Sequence, residues 1–366
     1  MSITKYIIIN MYNQKLKLEN FLFGLNFNAL KCATYQNRIL PEEPPKDYID
    51  DSFKIFSESG INCIRIPIHW ESYEKNKDEF LEELDFLSNT ADKYNILCIY
   101  DNHQWKCSSY LGYGIGFPNS LLISHLHKDN PEGNSQNAPN NDDLKNFWNN
   151  WWDRKLTTID GKDGWDVQLD YLEKVVKRVN GKKSTLGFEI LNEPQVYRQG
   201  DFQKVGNYHN YILEKLGKLT DKIFFICCTY PGFLFIINLP EEQAKIKPSI
   251  INNMKDKLIY DVHPYPPSFL TMEFYKLSST FMNNIPMYAG EFNSDTRQGA
   301  TIDERQIIDY INRLKEFSLH GCALWQWSYL KDNNHPAFNL TEIIDGKINP
   351  NNTFRSFINA IKLKSS

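Results

Sequence analysis

The sequence predicts an α/β fold, a (β/α)8 TIM barrel, and three observations predict it. Eight short runs rich in Ile, Val and aromatic residues alternate along the chain with longer segments of helical period. Those runs are apolar throughout instead of alternating, which means burial on both faces, as in a parallel sheet covered by helices. No glycine-rich phosphate-binding turn follows the first run. Eight βα repeats of that kind favour closure into a barrel over an open, doubly wound sheet.

Taken in order, residues 1–22 precede the barrel and read as a short N-terminal hairpin covering its bottom. Strands are expected at 23–27, 63–68, 96–100, 186–191, 222–228, 258–262, 287–290 and 322–327. Helices are expected at 48–59, 79–94, 168–179, 205–219, 302–319 and 351–363, several of them starting after Asp, Asn or Pro as helix starts should. The segment 104–164 separates the third and fourth strands by far more than a usual connection. Following the carboxyl end of a strand, this insertion is expected over the active-site face. Its middle, KDNPEGNSQNAPNNDD, is polar, and beyond it Leu144, Trp148, Trp151, Trp152 and Lys155 fall on one face at helical spacing. That face is expected to pack a lid helix onto the core. The whole of 1–366 is read as a single catalytic barrel domain, without linkers or repeats beyond the βα alternation.

Composition narrows the function. A net charge of -4, with no basic run, leaves no footprint for nucleic acid. Aromatic residues make up 14% of the chain, including 8 Trp and 20 Tyr, more than cores usually need and suited to stacking flat ligands. No stretch approaches the roughly 20 apolar residues of a membrane span. The run at 6–9 is far shorter than the apolar core of an export signal. The cysteines number 7, an odd count, and Cys63, Cys98, Cys227, Cys228 and Cys322 sit in apolar runs like small core residues. Reduced thiols and a cytoplasmic location are therefore expected, with export by a non-standard route as the alternative. Cys32 and Cys107 fall in expected loops, where a bridge between them is the less favoured reading. A monomer is expected.

A barrel presents its chemistry at the carboxyl ends of its strands. There the second strand offers Arg65 within IRIPIHW, with His69 and Trp70 beyond it. IYDNHQW supplies Asp101, His103 and Trp105; GFEILNEP supplies Asn192 and Glu193; the fifth strand leads to Thr229 and Tyr230. YDVHPYP brings His263 and Tyr265, PMYAGEFNS brings Glu291, and ALWQWSY brings Trp325 and Trp327. Two carboxylates on strands four and seven, with imidazoles, a phenol and a guanidinium around them, form the set a retaining glycosidase requires. One carboxylic acid protonates the leaving oxygen while one carboxylate about 5 Å away attacks the anomeric carbon. Arg65 and Tyr265 are expected to stabilise an ionised Glu291, the nucleophile. Glu193, facing that negative charge, is expected to keep its proton and act as acid/base.

The motifs IRIP, NHQW, LNEP, VHPY, AGEF and LWQWS, in that order and at βα intervals, resemble glycoside hydrolase family five, the cellulase family. The resemblance spans about 24–330. It implies that Asn192 holds the sugar's 2-hydroxyl and that Glu193 is the acid/base. It further implies that Arg65 and Tyr265 orient the nucleophile Glu291, that His103 and His263 line the reacting-sugar subsite, and that Trp325 forms its aromatic floor. Trp105, Tyr230 and Trp327 are further candidates for subsite walls. The expected activity is retaining hydrolysis of β-glycosides, first an endo-β-1,4-glucanase acting on β-glucans or their oligosaccharides. A β-mannanase or exo-acting β-glycosidase is the alternative, and a non-catalytic carbohydrate-binding barrel the rival from another class. No cofactor is expected. His125 and His127 lie in the insertion, and DGKDGWD places Tyr171 where a calcium loop needs a bidentate Glu, so metal ligation has no support.

Overall fold

The computed structural model describes residues 21–30, 47–109, 113–122, 141–198, 200–231, 254–265, 285–293, 304–316, 319–329 and 339–365. The expected N-terminal hairpin, Cys32, the His125/His127 pair and most of the polar stretch before Leu144 lie outside them.

Eight parallel strands close into a barrel. They are β1 (Leu22–Phe27), β2 (Cys63–Ile68), β3 (Leu97–Asn102), β4 (Thr185–Glu189), β5 (Ile223–Cys227), β6 (Leu258–Val262), β7 (Met287–Phe292) and β8 (Leu319–Trp327). Each pairs with its sequence neighbours, and β1 closes the ring against β8. Described helices on the outside include α1 (Tyr48–Ser59), α2 (Lys77–Tyr94), α3 (Asn141–Trp152), α4 (Gly164–Val179), α5 (Asp201–Leu216), α6 (Glu304–Glu316) and α7 (Asn352–Ser365).

Local chemistry sets several boundaries. α1 stops at Gly60, whose φ of 85° is left-handed and costs glycine little. Asn76 caps α2 by accepting from the Glu79 backbone N–H at 3.3 Å. Asp163 caps α4 with Oδ1 accepting from the N–H groups of Trp165 and Asp166 at 3.0 and 3.2 Å. The DGKDGWD stretch therefore serves as a helix start. β8 begins at Leu319, where the periodicity predicts helix, because Leu319 and Gly321 pair with Met287 and Leu22 on either side.

Strand alternation sorts the interior into layers. Leu22, Cys63, Ile99, Leu186, Ile223, Phe225, Ile259, Tyr288 and Ala323 form an apolar cluster of their own, distinct from the larger core shared by strands and helices. Further along the same strands toward their carboxyl ends stand Asn26, Arg65, Asp101, Glu189 and Asp261, all buried. The insertion returns over this end. Its hairpin pairs Trp105–Ser108 with Tyr113–Ile115. Glu71, just past β2, ties that hairpin down: its carboxylate accepts from Ser109 Oγ at 2.7 Å and from the Gly116 N–H at 2.9 Å. α3 buries Trp148, Trp151 and Trp152 as its periodicity predicts. Two of their indoles donate to backbone carbonyls, Trp148 to Lys106 and Trp152 to Gln195.

Candidate active site

Arg65 is the centre of the polar layer. The fork of its guanidinium meets Glu189, Nε at 2.7 Å from Oε2 and Nη2 at 3.0 Å from Oε1. Nη2 also donates to Asn192 Oδ1 at 2.7 Å, and Nη1 to Asn26 Oδ1 at 2.8 Å and to Glu291 Oε1 at 3.0 Å. Asp101 Oδ2 lies 3.1 Å from Nη1, and Asp261 Oδ2 lies 3.7 Å from Nε. A buried cation of this kind needs such compensation. Burial works against its charge, yet Asp101, Glu189 and Glu291 more than offset that, and its pKa is raised well above the usual value.

The carboxylates around it divide by charge. Burial alone would push Glu189 and Glu291 up, but Arg65 outweighs it at Glu189 and His263 and Arg65 outweigh it at Glu291, so both stay below the ordinary glutamate value. Asp101 is raised by burial to about 6 despite Arg65. Asp261 is raised well above its ordinary value by burial and by the charge of Glu189. Its Oδ1 accepts from the Gly290 N–H at 2.6 Å. Only glycine fits at 290, because a Cβ there would stand 2.0 Å from Asp261 Oδ2.

Above this layer the mouth assembles. Tyr265 donates its phenol to Glu291 Oε2 at 3.0 Å, so Glu291 is held from two sides. His263 Nδ1 lies 2.7 Å from Glu193 Oε1 and 3.7 Å from Glu291 Oε2. Burial disfavours its charged form, but Glu291 and Glu193 prevail and raise its pKa well above the ordinary histidine value. A carboxylate oxygen of Glu193, a ring nitrogen of His263 and a carboxylate oxygen of Glu291 all lie within 4.8 Å of one another. His103 Nδ1 pairs with Asp101 Oδ2 at 2.6 Å, and the Trp325 indole stacks on the His103 ring with centroids 5.5 Å apart. His69 meets the same ring edge-on at 5.6 Å, and burial followed by His103 keeps it neutral.

Glu193 itself has a left-handed backbone, φ 38°, a strained conformation for a non-glycine residue. Gln104 supports it, donating from Nε2 to the carbonyls of Asn192 and Glu193 at 2.8 and 2.9 Å, while Asn192 Nδ2 donates back to the Gln104 carbonyl at 2.9 Å.

Of the residues expected from sequence, Arg65, His103, Asn192, Glu193, His263, Tyr265, Glu291 and Trp325 come together. Trp105 stands 42% exposed on the insertion hairpin, with the Lys106 ammonium 5.7 Å from its ring centre. Tyr230 pairs with Gln195 through its backbone, and its side chain lies outside the described residues. Two expectations need correcting. Trp327 is not a subsite wall: it is fully buried against Phe56 and Phe354, its indole donating to Ser52 Oγ at 3.0 Å. Two residues apart on a regular strand, Trp325 and Trp327 would share a face. In β8 an extra residue intervenes, since Leu25 pairs with Leu324 but Phe27 with Trp327, and the bulge turns Trp327 outward. Glu193, second, faces more than a negative charge, because His263 stands between it and Glu291.

Glu189, Asp261, Asn26 and Gln104 join the site without a counterpart among the expected residues. The signal for the first two was present, an acid within an otherwise apolar strand, the same oddity that marks Arg65. Among the described residues two other donor sets are as compact as the Glu193 group, Cys227/Cys228/His263 and Glu189/Asp261/His263. The second is taken up by Arg65, and in the first burial raises the Cys227 thiol well above its ordinary value, against the thiolate that a metal needs.

The family model described as Cellulase (glycosyl hydrolase family 5) matches residues 31–331. No curated protein matches the chain. Among solved structures, an endogalactoceramidase superposes with a TM-score of 0.68 at 15% identity, covering 93% of this chain and 80% of that one. An endo-β-1,4-glucanase from Xanthomonas axonopodis pv. citri gives 0.59 at 12% identity, with 95% and 100% coverage. The Pseudomonas stutzeri endoglucanase Cel5A gives 0.53 at 15%, with 95% and 97%. At such identities the likeness speaks for the fold.

Proposed function

This chain belongs to glycosyl hydrolase family 5, the cellulase family, and from that premise we propose that it hydrolyses β-glycosidic bonds with retention, as an endo-acting β-1,4-glucanase. The observation that carries the reading is the closeness of the two carboxylates. Oxygens of Glu193 and Glu291 lie within 4.8 Å of one another. Retaining enzymes hold their carboxyl groups about 5–5.5 Å apart, whereas inverting ones need about 6.5–9.5 Å to admit a water.

In this reading Glu291 attacks the anomeric carbon. Arg65 Nη1 and the Tyr265 phenol, each 3.0 Å away, keep it ionised and aimed. The proton for the leaving oxygen comes from the Glu193–His263 pair, whose heavy atoms are 2.7 Å apart. Glu193 delivers it, and the sugar remains covalently bound to Glu291. Glu193 then takes a proton from water as that water attacks the same carbon, which restores both carboxyl groups and gives a product of unchanged anomeric configuration. Asn192, its Oδ1 engaged by Arg65, is the group for the 2-hydroxyl. The stacked His103 and Trp325 rings offer the apolar face of a pyranose its floor. None of these steps calls for a metal or cofactor.

The test is a substrate panel: carboxymethylcellulose, barley glucan, mannan, galactosylceramide and aryl β-glycosides, with the product anomer followed by NMR. Release of reducing ends from the glucans with retention is expected. Glu291→Ala is expected to fall below about one ten-thousandth of wild-type turnover while still binding oligosaccharide. An inverted product would overturn the mechanism. Absence of turnover on every substrate would favour a non-catalytic carbohydrate-binding barrel.

A further inference from the structure

Cys227 ends β5 fully buried, at the point where the acid/base machinery meets the barrel wall. Three members of that machinery surround its sulfur. The Glu193 backbone N–H donates to Sγ at 3.2 Å, His263 Nε2 stands 3.6 Å from it, and Asn192 Oδ1 is 4.0 Å away. The two nitrogens of the His263 ring are therefore divided: Nδ1 serves Glu193 and Nε2 faces the thiol. What one nitrogen of an imidazole does decides what the other can do.

We propose that Cys227 is a positioning residue for the acid/base step, fixing the backbone of Glu193 and setting where the proton shared by Glu193 and His263 resides. The inference rests on Glu193 as acid/base. A sulfur can accept weakly from an Nε2–H, or donate its own hydrogen to a bare Nε2. When the imidazole is charged, Sγ takes up the second N–H. When the Nδ1 proton passes to Glu193 and on to the leaving oxygen, Nε2 keeps its hydrogen and Sγ goes on accepting it, which fixes the neutral ring in the tautomer whose bare Nδ1 faces Glu193. The half-buried N–H of a residue in a strained conformation is satisfied by the same atom, and leaving such a donor without a partner carries a cost. Gln104 holds the carbonyl of that peptide, the Asn192 oxygen, and Cys227 its amide.

The groups facing His263 are Glu193 and Glu189 from β4 and the turn after it, Glu291 from β7, Asp261 on its own strand, and Cys227 and Cys228 from the end of β5. Removing the thiol leaves the carboxylates in place, so a change in titration reports on the sulfur.

The experiment compares wild type, Cys227→Ala and Cys227→Ser by two readouts. The first is the titration of the His263 ring nitrogens in 15N-histidine-labelled protein, with His263→Asn assigning the signals. The second is the pH profile of kcat/KM on cellotetraose, whose leaving group needs a proton, and on 2,4-dinitrophenyl β-cellobioside, whose leaving group does not. In Cys227→Ala the His263 midpoint is expected to fall by about one pH unit, since the charged ring loses an acceptor. On cellotetraose the alkaline limb is expected to move down with it, with about a tenfold loss of rate, against less than about threefold on the dinitrophenyl glycoside. Cys227→Ser, which keeps a hydroxyl acceptor on a shorter bond, is expected to recover part of both, and it carries the test should the alanine variant not fold. An unchanged His263 titration, or equal losses on the two substrates, would overturn the proposal. Wild-type protein inactive on both would refute the glycosidase reading instead, and the histidine titration would then decide the thiol's role alone.

Discussion

Replacing Glu189 by Gln removes the anion that grips Arg65 most closely, through bonds of 2.7 and 3.0 Å in a site closed to water. Breaking a buried ion pair from one side ordinarily costs about 3–5 kcal/mol, because the remaining charge is uncompensated. Here a substitute is at hand. Asp261 Oδ2 lies 3.7 Å from Arg65 Nε, and burial and the charge on Glu189 raise its pKa well above the ordinary value, so it is expected to be protonated beside an ionised Glu189. With Glu189 neutralised, Asp261 can ionise. At an effective dielectric of about 20, an attraction at that distance is worth about 4–5 kcal/mol. The desolvation of a second buried carboxylate takes back most of it, leaving about 1–2 kcal/mol of rescue. Glu189→Gln alone should then cost about 2–3 kcal/mol. Asp261→Asn alone should cost under about 1 kcal/mol, since Asn keeps an acceptor for the Gly290 N–H and no charge is lost. The double variant should cost about 1–2 kcal/mol more than the sum of the singles, measured by urea unfolding at pH 7 with tryptophan fluorescence. Additivity within about 0.5 kcal/mol, or an Asp261→Asn cost as large as that of Glu189→Gln, would refute the assignment of the proton to Asp261.

Glu71, raised by burial from 4.5 to about 7, holds its proton more tightly folded than unfolded, so its contribution to stability is full below about pH 4.5 and is lost as pH rises to about 7, by about 3 kcal/mol in all. Thermal unfolding between pH 4.5 and 8 should accordingly show a steeper decline in wild type than in Glu71→Gln, and equal slopes would count against it. Trp325→Ala should raise KM for cello-oligosaccharides about tenfold with little effect on unfolding, whereas Trp327→Ala should cost about 3–5 kcal/mol of stability, by denaturant titration. Gly290→Ala drives a Cβ into the space of the Asp261 carboxylate, 2.0 Å from Oδ2, and should cost about 2–3 kcal/mol or more in the same assay.

The barrel was legible because its strands are buried on both faces, a condition that writes itself as apolar runs such as IFFIC, or CIRIPI with its one charged residue. The charged residues inside such runs carried the next level of information, and it was only partly taken up. Arg65 within IRIPI points to function, and Glu189 in LGFEIL and Asp261 in LIYDV are the same kind of exception. Which of them meet depends on strand register, since Asn26 lies opposite Arg65 and Asp101 opposite Glu189 only once the barrel is closed. Chain order could not say which carboxylate His263 would face, because its two nitrogens point to different strands. Trp327 failed for a different reason. Parity arguments assume a regular strand, and the extra residue in β8 is not encoded by any glycine or proline within QWS.

The polar layer also explains how one residue can serve both stability and turnover. Arg65 touches the nucleophile through a single N–H, at 3.0 Å, but its fork is fixed by Glu189 and its remaining donors by Asn26 and Asn192. The guanidinium therefore does not have to be ordered when substrate arrives. Its orientation is set when the barrel folds, and the energy needed to hold a cation away from water is met by carboxylates that take no part in bond making. A cation paired to Glu291 alone would follow that carboxylate as its charge passes into the covalent bond to the sugar. One anchored elsewhere stays where it is, ready to stabilise the same carboxylate when it leaves.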